Sequence, residues 1–245
     1  MVKHVAAVVA LWVLFSVASL VVILEFAPFP VAAAKEAVLV DRAFTTLTVM
    51  AVPVFTFVIA TLVYSVFRFR SRGRPTEDGP PVYYRTPLIL AWFVATTALT
   101  IVVIIHPGIT GLNEIRASER EQPDIVVQME ARKWGWTASY PEQGVQSFQE
   151  LVLPVDHHAR FYVDSIDILH SFWIPAFRIK IDAVPGIQTR AAAEPIMLGS
   201  FAYDPNFRVQ CAELCGVGHA VMRMPVRVVE RAEFDAWIAQ QRPIR

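Results

Sequence analysis

Cysteine is the scarcest informative residue in this chain: two in 245 residues, at positions 211 and 215. That excludes a disulfide framework, and no C-x-x-C-H run marks a covalent haem. Excess charge of either sign is also lacking, since 22 Lys and Arg balance 22 Asp and Glu. A basic surface for nucleic acid is therefore not indicated, and no low-complexity run or internal repeat is present. The neutral total hides a division, because charge is scarce before about position 110 and ordinary after it. A membrane part is joined to a soluble part.

Three apolar stretches precede the soluble part. Residues 5–24 carry no charge and follow Lys3; they read as a signal peptide or a retained helix, and residues 31–34 offer a small-residue cleavage site. Residues 43–67 are also free of charge and contain Pro53, expected to kink a helix by removing one backbone bond. Arg68, Arg70, Arg72 and Arg74 follow at once, and residues 86–105 form the third stretch, with Arg85 at its start. The arginine-rich loop belongs on the cytoplasmic side by the positive-inside rule, which leaves the chain after about position 110 outside. His106, at the end of the third stretch, reads as an interfacial side chain. The expected division is 1–30 as first helix or signal-anchor, 31–112 as a two-helix hairpin, and 113–245 as an extracytoplasmic domain.

Residues 113–120 read as a polar linker. After them, alternation and β-branched or aromatic residues predict strands near 124–130, 134–140, 148–153, 159–165, 188–193, 207–210 and 226–229. Pro141, Pro154, Pro185-Gly186 and Asp204-Pro205 separate them. This pattern suggests an antiparallel sandwich or barrel. Residues 231–241 read as a closing helix with Phe234, Trp237 and Ile238 on one face. His157 and His158 read as a polar pair in a solvated turn.

The chemistry is concentrated in Cys211-Ala-Glu-Leu-Cys215-Gly-Val-Gly-His219-Ala-Val-Met222. Two thiols, an imidazole and a thioether within twelve residues are soft and borderline ligands suited to copper. His170 lies upstream in Asp167-Ile-Leu-His170-Ser, on a second loop. Two thiolates can bridge two copper ions, His170 and His219 can cap one each, and Met222 can serve as a weak ligand. Met224 is a rival for that last place. A disulfide or a structural zinc site would use the same cysteines and histidines, and neither explains the spacing of the whole run.

That run, C-x-E-x-C-G-x-x-H-x-x-M with an upstream D-x-L-H-S, resembles the CuA site of cytochrome c oxidase subunit II. The similarity extends from Trp134 to Val229 and includes Asp182-Ala-Val-Pro185-Gly186. It implies N-terminal transmembrane α-helices plus an all-β cupredoxin-like Greek-key barrel. It also implies dinuclear copper held by His170, Cys211, Cys215, His219, Met222 and the backbone carbonyl of Glu213. The Glu213 carboxylate would help bind magnesium against the catalytic subunit. From the family's W-x-W pattern, Trp136 is expected as the electron entry point, and Asp167 as an acid on the donor-docking rim.

The implied partners are a haem-bearing catalytic subunit I and other oxidase subunits, membrane lipid, and cytochrome c or a small copper protein as donor. The implied location is the bacterial inner (plasma) membrane. Family members usually show two helices and a glutamate near the start of the last one. This chain has a third apolar stretch and reads Tyr84-Arg-Thr-Pro-Leu88 at that place, with Glu77 and Asp78 in the loop before it. A nitric- or nitrous-oxide-reducing system with the same copper module, a membrane-anchored copper chaperone and a quinol oxidase subunit are the alternatives. A quinol oxidase subunit would lack the five ligand side chains, and a chaperone would show βαβ alternation.

Overall fold

A computed structural model describes residues 2–26, 29–70, 73 and 85–243. Arg72, Arg74, Glu77, Asp78 and Tyr84 lie outside the described residues. The chain forms two compact units, one of Met1–Pro28 with Ala43–Thr110, the other of Phe29–Arg42 with Gly111–Arg245.

The first unit is helical. Helices α1 (Val2–Phe26), α2 (Lys35–Phe69) and α3 (Thr86–Val103) contain the three apolar stretches, and three helical spans are long and apolar enough to cross a membrane. Polar contacts join α1 to α2. The Trp12 indole N–H donates to the Pro53 carbonyl at 2.7 Å, Ser16 and Thr56 share a hydrogen bond of 2.6 Å, and His4 Nδ1 lies 2.6 Å from the Tyr64 hydroxyl. Hydroxyls and indoles have no water to turn to in an apolar environment, so pairing across helices is how they are satisfied. After α3, the π-helical turn Ile104–Ile109 departs from helical geometry at His106. Pro107 disfavours the helical conformation in the residue before it and donates no backbone hydrogen bond. His106 is exposed, with Nδ1 2.8 Å from the Thr110 hydroxyl.

Residues expected as a polar linker are instead helix α4 (Thr110–Arg120). Beyond Gly111 this run contains no glycine or proline, and its Glu, Arg, Leu and Ala residues are good helix formers. Polarity alone misread a solvated helix face as a loop.

The second unit contains strands β1 (Ile125–Arg132), β2 (Gly135–Tyr140), β3 (Val145–Ser147), β4 (Leu151–Pro154), β5 (Ala159–Ser165) and β6 (His170–Ile174). It continues with β7 (Ile179–Ala183), β8 (Thr189–Ala193), β9 (Gly199–Ser200), β10 (Arg208–Cys211), β11 (Arg223–Val229), helix α5 (Arg231–Ile238) and β12 (Arg242–Pro243). One sheet runs β12-β3-β2-β1-β5-β8; the other runs β4-β11-β10-β6-β7, with β9 beside β11. The pairs β1–β5 and β4–β11 are parallel, the remaining ladders antiparallel. This is the cupredoxin-like β domain that the resemblance implies.

Alternation buries Ile125, Val127, Met129 and Ala131 from β1, and Ala159, Phe161 and Val163 from β5, in one core. Helix α5 closes it with Phe234 and Trp237, whose rings lie 5.9 and 5.5 Å from that of Tyr140. The Tyr140 hydroxyl donates to the Val152 carbonyl and accepts from the Val152 N–H. Burial pushes its pKa far above the ordinary phenolic value.

Residues 29–42 belong to this β unit. Ala33 and Ala34, from the small-residue run at 31–34, are fully buried; the Ala33 N–H donates to the Ala176 carbonyl at 2.9 Å, and the Ile196 N–H donates to the Ala33 carbonyl at 3.0 Å. Glu36 is buried as well, accepting from the Ser118 hydroxyl at 2.5 Å and the Glu194 N–H at 3.0 Å. His158, expected in a solvated turn, is 3% exposed, with Nε2 3.3 Å from Ser118 Oγ. Its neighbour His157 keeps the partly open position and bonds the Val155 carbonyl.

Arg178 fastens the segment from the other side. Its guanidinium donates twice to Asp41 at 2.9 Å, and also to the carbonyls of Pro30, Val31 and Pro175. A two-pronged arginine–carboxylate pair this sheltered, with side chains 11% and 23% exposed, contributes more than a surface ion pair. Arg178→Ala should cost about 2–3 kcal/mol of β-unit stability. Denaturant unfolding of the full chain in detergent, followed by near-ultraviolet circular dichroism, would measure it; an unchanged midpoint would refute the fastening role.

Candidate metal centre

Three elements carry the donors. Strand β10 ends at Cys211 and β11 begins just after Met222, so residues 212–222 form one closed loop. The Cys211 N–H donates to the Met222 carbonyl at 3.0 Å and ties the loop ends together. On the other side β10 pairs with β6 in the register Cys211–Phe172, and the Ala212 N–H donates to the Ser171 carbonyl at 3.0 Å. That register sets His170, the first residue of β6, beside Cys211. The sequence placed His170 on a loop; it is a strand residue and fully buried. Within the loop, Gly216 takes a left-handed φ of 107°, and the short turn His219–Val221 follows. The His219 N–H donates to the Gly216 carbonyl, and the Met222 N–H to the His219 carbonyl.

The result is a cluster around two sulfurs. Cys211 Sγ and Cys215 Sγ lie 3.7 Å apart, and both thiols are free. A disulfide needs about 2.05 Å. His170 Nδ1 is 3.8 Å from Cys211 Sγ, and His219 Nδ1 is 3.7 Å from Cys215 Sγ. Met222 Sδ lies 3.8 Å from Cys215 Sγ, and the Glu213 carbonyl oxygen 3.2 Å from Cys211 Sγ. The donor atoms of His170, Cys211 and Cys215 fall within 4.8 Å of one another, the metal-type group found among the described residues. Met224 is buried on β11 opposite Val209.

Six donors of this softness exceed the four of a structural zinc site, and the set fits copper. Two separated thiols flanked by imidazoles from different elements fit a pair of ions.

Asp167 organises the edge of this cluster. It accepts from His170 Nε2 at 2.9 Å, from the Lys133 N–H at 2.8 Å and from the Ile168 N–H at 2.7 Å. A carboxylate only accepts, so Nε2 carries the proton and Nδ1 turns its lone pair toward the sulfurs. Desolvation pushes the Asp167 pKa up, but the hydrogen bonds from Lys133, His170 and Ile168 outweigh it and hold the carboxyl well below its usual range. Expected as a docking acid, Asp167 is committed to the site.

The two tryptophans exchange the positions expected of them. Trp136 is 4% exposed, its ring 6.4 Å from that of His170 and 5.9 Å from that of Phe172, and its indole N–H has no partner among the described residues. A surface entry role does not suit it. Trp134 is 41% exposed and donates through Nε1 to the Cys215 carbonyl at 3.1 Å. Its ring lies against Gly216 and Gly218, and a Cβ at Gly218 would meet it at 2.3 Å. The W-x-W pattern brought both rings into view; only the turn geometry at 133–135 tells which faces outward.

Glu213 is partly buried, and its carboxylate is not part of any metal-type group found among the described residues.

Two outcomes follow. Gly218→Ala should expel the Trp134 ring, red-shifting tryptophan emission; an unmoved spectrum would disprove the contact. Burial, then the hydrogen bond and charge of Cys211, push the Cys215 thiol from 9.0 up to about 11. Its thiolate therefore forms more readily in the unfolded chain, so the metal-free protein should lose stability as pH climbs from 9.0 toward about 11. Cys215→Ser should flatten that decline in alkaline melting curves.

Comparison with known proteins bears on the family. The family model "Cytochrome C oxidase subunit II, periplasmic domain" matches residues 142–230. Cytochrome c oxidase subunit 2 of Alkalihalophilus pseudofirmus is 30% identical, over 74% of this chain and 53% of that one. The subunit 2 of Thermostichus vulcanus is 26% identical, over 88% of this chain and 79% of that one. The chain thus spans about half the length of the first relative and about four fifths of the second. Among solved structures, the periplasmic domain of subunit II of cytochrome oxidase from Bradyrhizobium japonicum is 31% identical, with 49% of this chain and 95% of that one covered and a TM-score of 0.46. From its helices, β domain, donor cluster and relatives together, this chain belongs to the cytochrome c oxidase subunit II family.

Proposed function

We propose that the chain is the electron-entry subunit of a haem–copper oxidase and that His170, Cys211, Cys215, His219, Met222 and the Glu213 carbonyl hold a dinuclear CuA centre. The observation that carries this reading is the pair of uncrosslinked thiols at 3.7 Å with an imidazole beside each. Two coppers held by these side chains would supply a one-electron relay.

The protein's part is to hold the donors still and dry. The β10–β11 closure and the β6 register fix the sulfurs and His170, and Asp167 fixes the imidazole's proton on the far nitrogen. Burial of Cys211, Cys215, Met222 and His170 keeps water from the thiolates. Trp134, with its exposed ring and its hydrogen bond to the Cys215 carbonyl, replaces Trp136 as our assignment for the entry side chain. Trp136 stays inside, packed on His170.

In this reading the apolar helices anchor the chain in an inner (plasma) membrane, with lipid around them and the β domain on the extracytoplasmic side. Electrons arrive from cytochrome c or a small copper protein and leave for haem in a catalytic subunit I, where other oxidase subunits assemble. Glu213 is also our candidate for magnesium at that boundary; one carboxylate does not hold the ion, so oxygen ligands from another chain would complete it. A thioredoxin-like chaperone fold is incompatible with the two facing sheets, and a quinol oxidase subunit would have no need of five preserved ligand side chains.

Electron paramagnetic resonance with copper counting on the full chain tests the assignment. The expected result is two coppers per chain and a mixed-valence signal shared by both nuclei. Cys215→Ser should lose the pair, whereas Met222→Leu should keep both ions and shift the potential. A single-copper or zinc-only protein would overturn the reading, and a shift produced by Met224→Leu alone would move the weak ligand.

A further inference from the structure

The sheet that contains β1, β2 and β5 holds a polar cavity on the face turned away from the core. Glu130 pairs in register with Thr137 on β2 and with Asp164 on β5, while Ser139 stands between Gln128 on β1 and Gln146 on β3. These residues alternate with Met129, Trp136, Ala138 and Val163 of the core, so their side chains leave by the opposite face. With Arg132 and the exposed ring of Phe148 they line a cavity of about 230 Å³.

Polar side chains on the outer face of a sheet ordinarily give their hydrogen bonds to water, yet Thr137 is only 7% exposed. Its hydroxyl has no hydrogen-bond partner among the described residues, and the side chains of Gln128, Ser139, Gln146 and Asp164 have none either. A sheltered hydroxyl without a partner is rare in a folded chain. Arg132 donates to Glu130 at 2.8 Å, whereas Asp164 receives no donor. Desolvation, then the Glu130 charge, pushes the Asp164 carboxyl above its usual value. The cavity thus offers acceptors at Asp164, donors and acceptors at two amides and two hydroxyls, and an aromatic face at Phe148. A hard cation takes oxygen ligands alone and would be repelled by Arg132.

We infer that this cavity binds a sugar ring, its hydroxyls meeting Thr137, Asp164, Gln128 and Gln146 and one C–H face resting on Phe148. Each ring hydroxyl both donates and accepts, which is what a lining of carboxylate, amide and hydroxyl groups requires. The C–H face gains dispersion contact with the aromatic ring. The volume lies below the roughly 300–1,000 Å³ of sites for larger ligands, so one ring is held and not a chain. The inference is independent of the metal assignment.

The test uses the full chain in a sugar-free zwitterionic detergent and saturation-transfer nuclear magnetic resonance with galactose, N-acetylglucosamine and the trimer of the latter. At least one should bind saturably with a Kd on the order of 1–10 mM, the range open to a small ligand held by a few hydrogen bonds. Thr137→Val, which keeps the side-chain shape, and Asp164→Asn should each weaken that binding about fivefold. Binding of the trimer at least as tight as the monomer assigns the ring to a glycan end; tighter monomer binding assigns it to a free sugar. Phe148→Ala, at an exposed position, should also weaken binding about fivefold and keeps the test decisive if Thr137→Val fails to fold. Absence of saturable binding by all three sugars up to about 100 mM would overturn the inference. So would sugar binding untouched by the variants, or displacement of the sugar by calcium or spermidine at equal or lower concentration, which would make the cavity a cation site.

Discussion

Everything at the metal end depends on keeping two sulfur atoms close without letting them join. A bare C-x3-C run on a flexible loop would oxidise readily to a disulfide. Here the loop is pinned at both ends, by the Cys211 N–H on the Met222 carbonyl and by the pairing of Cys211 beside β6. The left-handed Gly216 and the short turn at His219–Val221 then direct the second thiol, an imidazole and a thioether to the same small volume. Pinning the backbone replaces what a bound ion would otherwise have to do alone. Little ordering then remains to accompany metal uptake, and the protonated thiols are what must change.

The donor set was legible because its information is local. Within one loop, spacing alone determines which side chains can converge, and Cys211, Cys215, His219 and Met222 could be read together. The position of His170 needed the β6–β10 register, a non-local pairing that no short run specifies, which is why a strand residue read as a loop residue. Strands β1, β5 and β11 alternate clearly and were visible. Strands β6 and β7 were not, since β6 buries four of its five residues and shows no period of two. The tryptophan exchange has the same origin: burial of Trp136 and exposure of Trp134 follow from how the turn between β1 and β2 meets the metal loop. Asp167 was noticed for its charge, but only its hydrogen-bond donors show that the charge is spent inside the site.

The helical unit shows a related contrast. Hydropathy located all three spans, because twenty or so uncharged apolar residues leave few alternatives. It said nothing of Trp12, Ser16 and His4, whose partners lie on α2 far along the chain. These contacts give α1 specific complementarity to α2 beyond apolar bulk. Pro53 lies inside the unbroken helix α2, and its carbonyl serves as the acceptor for Trp12.

Residues 29–42 carry a lesson about the order of synthesis. Two fully buried alanines, a buried glutamate and the carboxylate gripped by Arg178 all come from chain made before the apolar stretch at 43–67, while the groups they meet, Ser118 on α4 among them, are made after helix α3. The β unit therefore cannot close its surface until both membrane spans between these parts have been synthesised. During translation the early segment waits with its alanines unsheltered until the strands that cover them have been made.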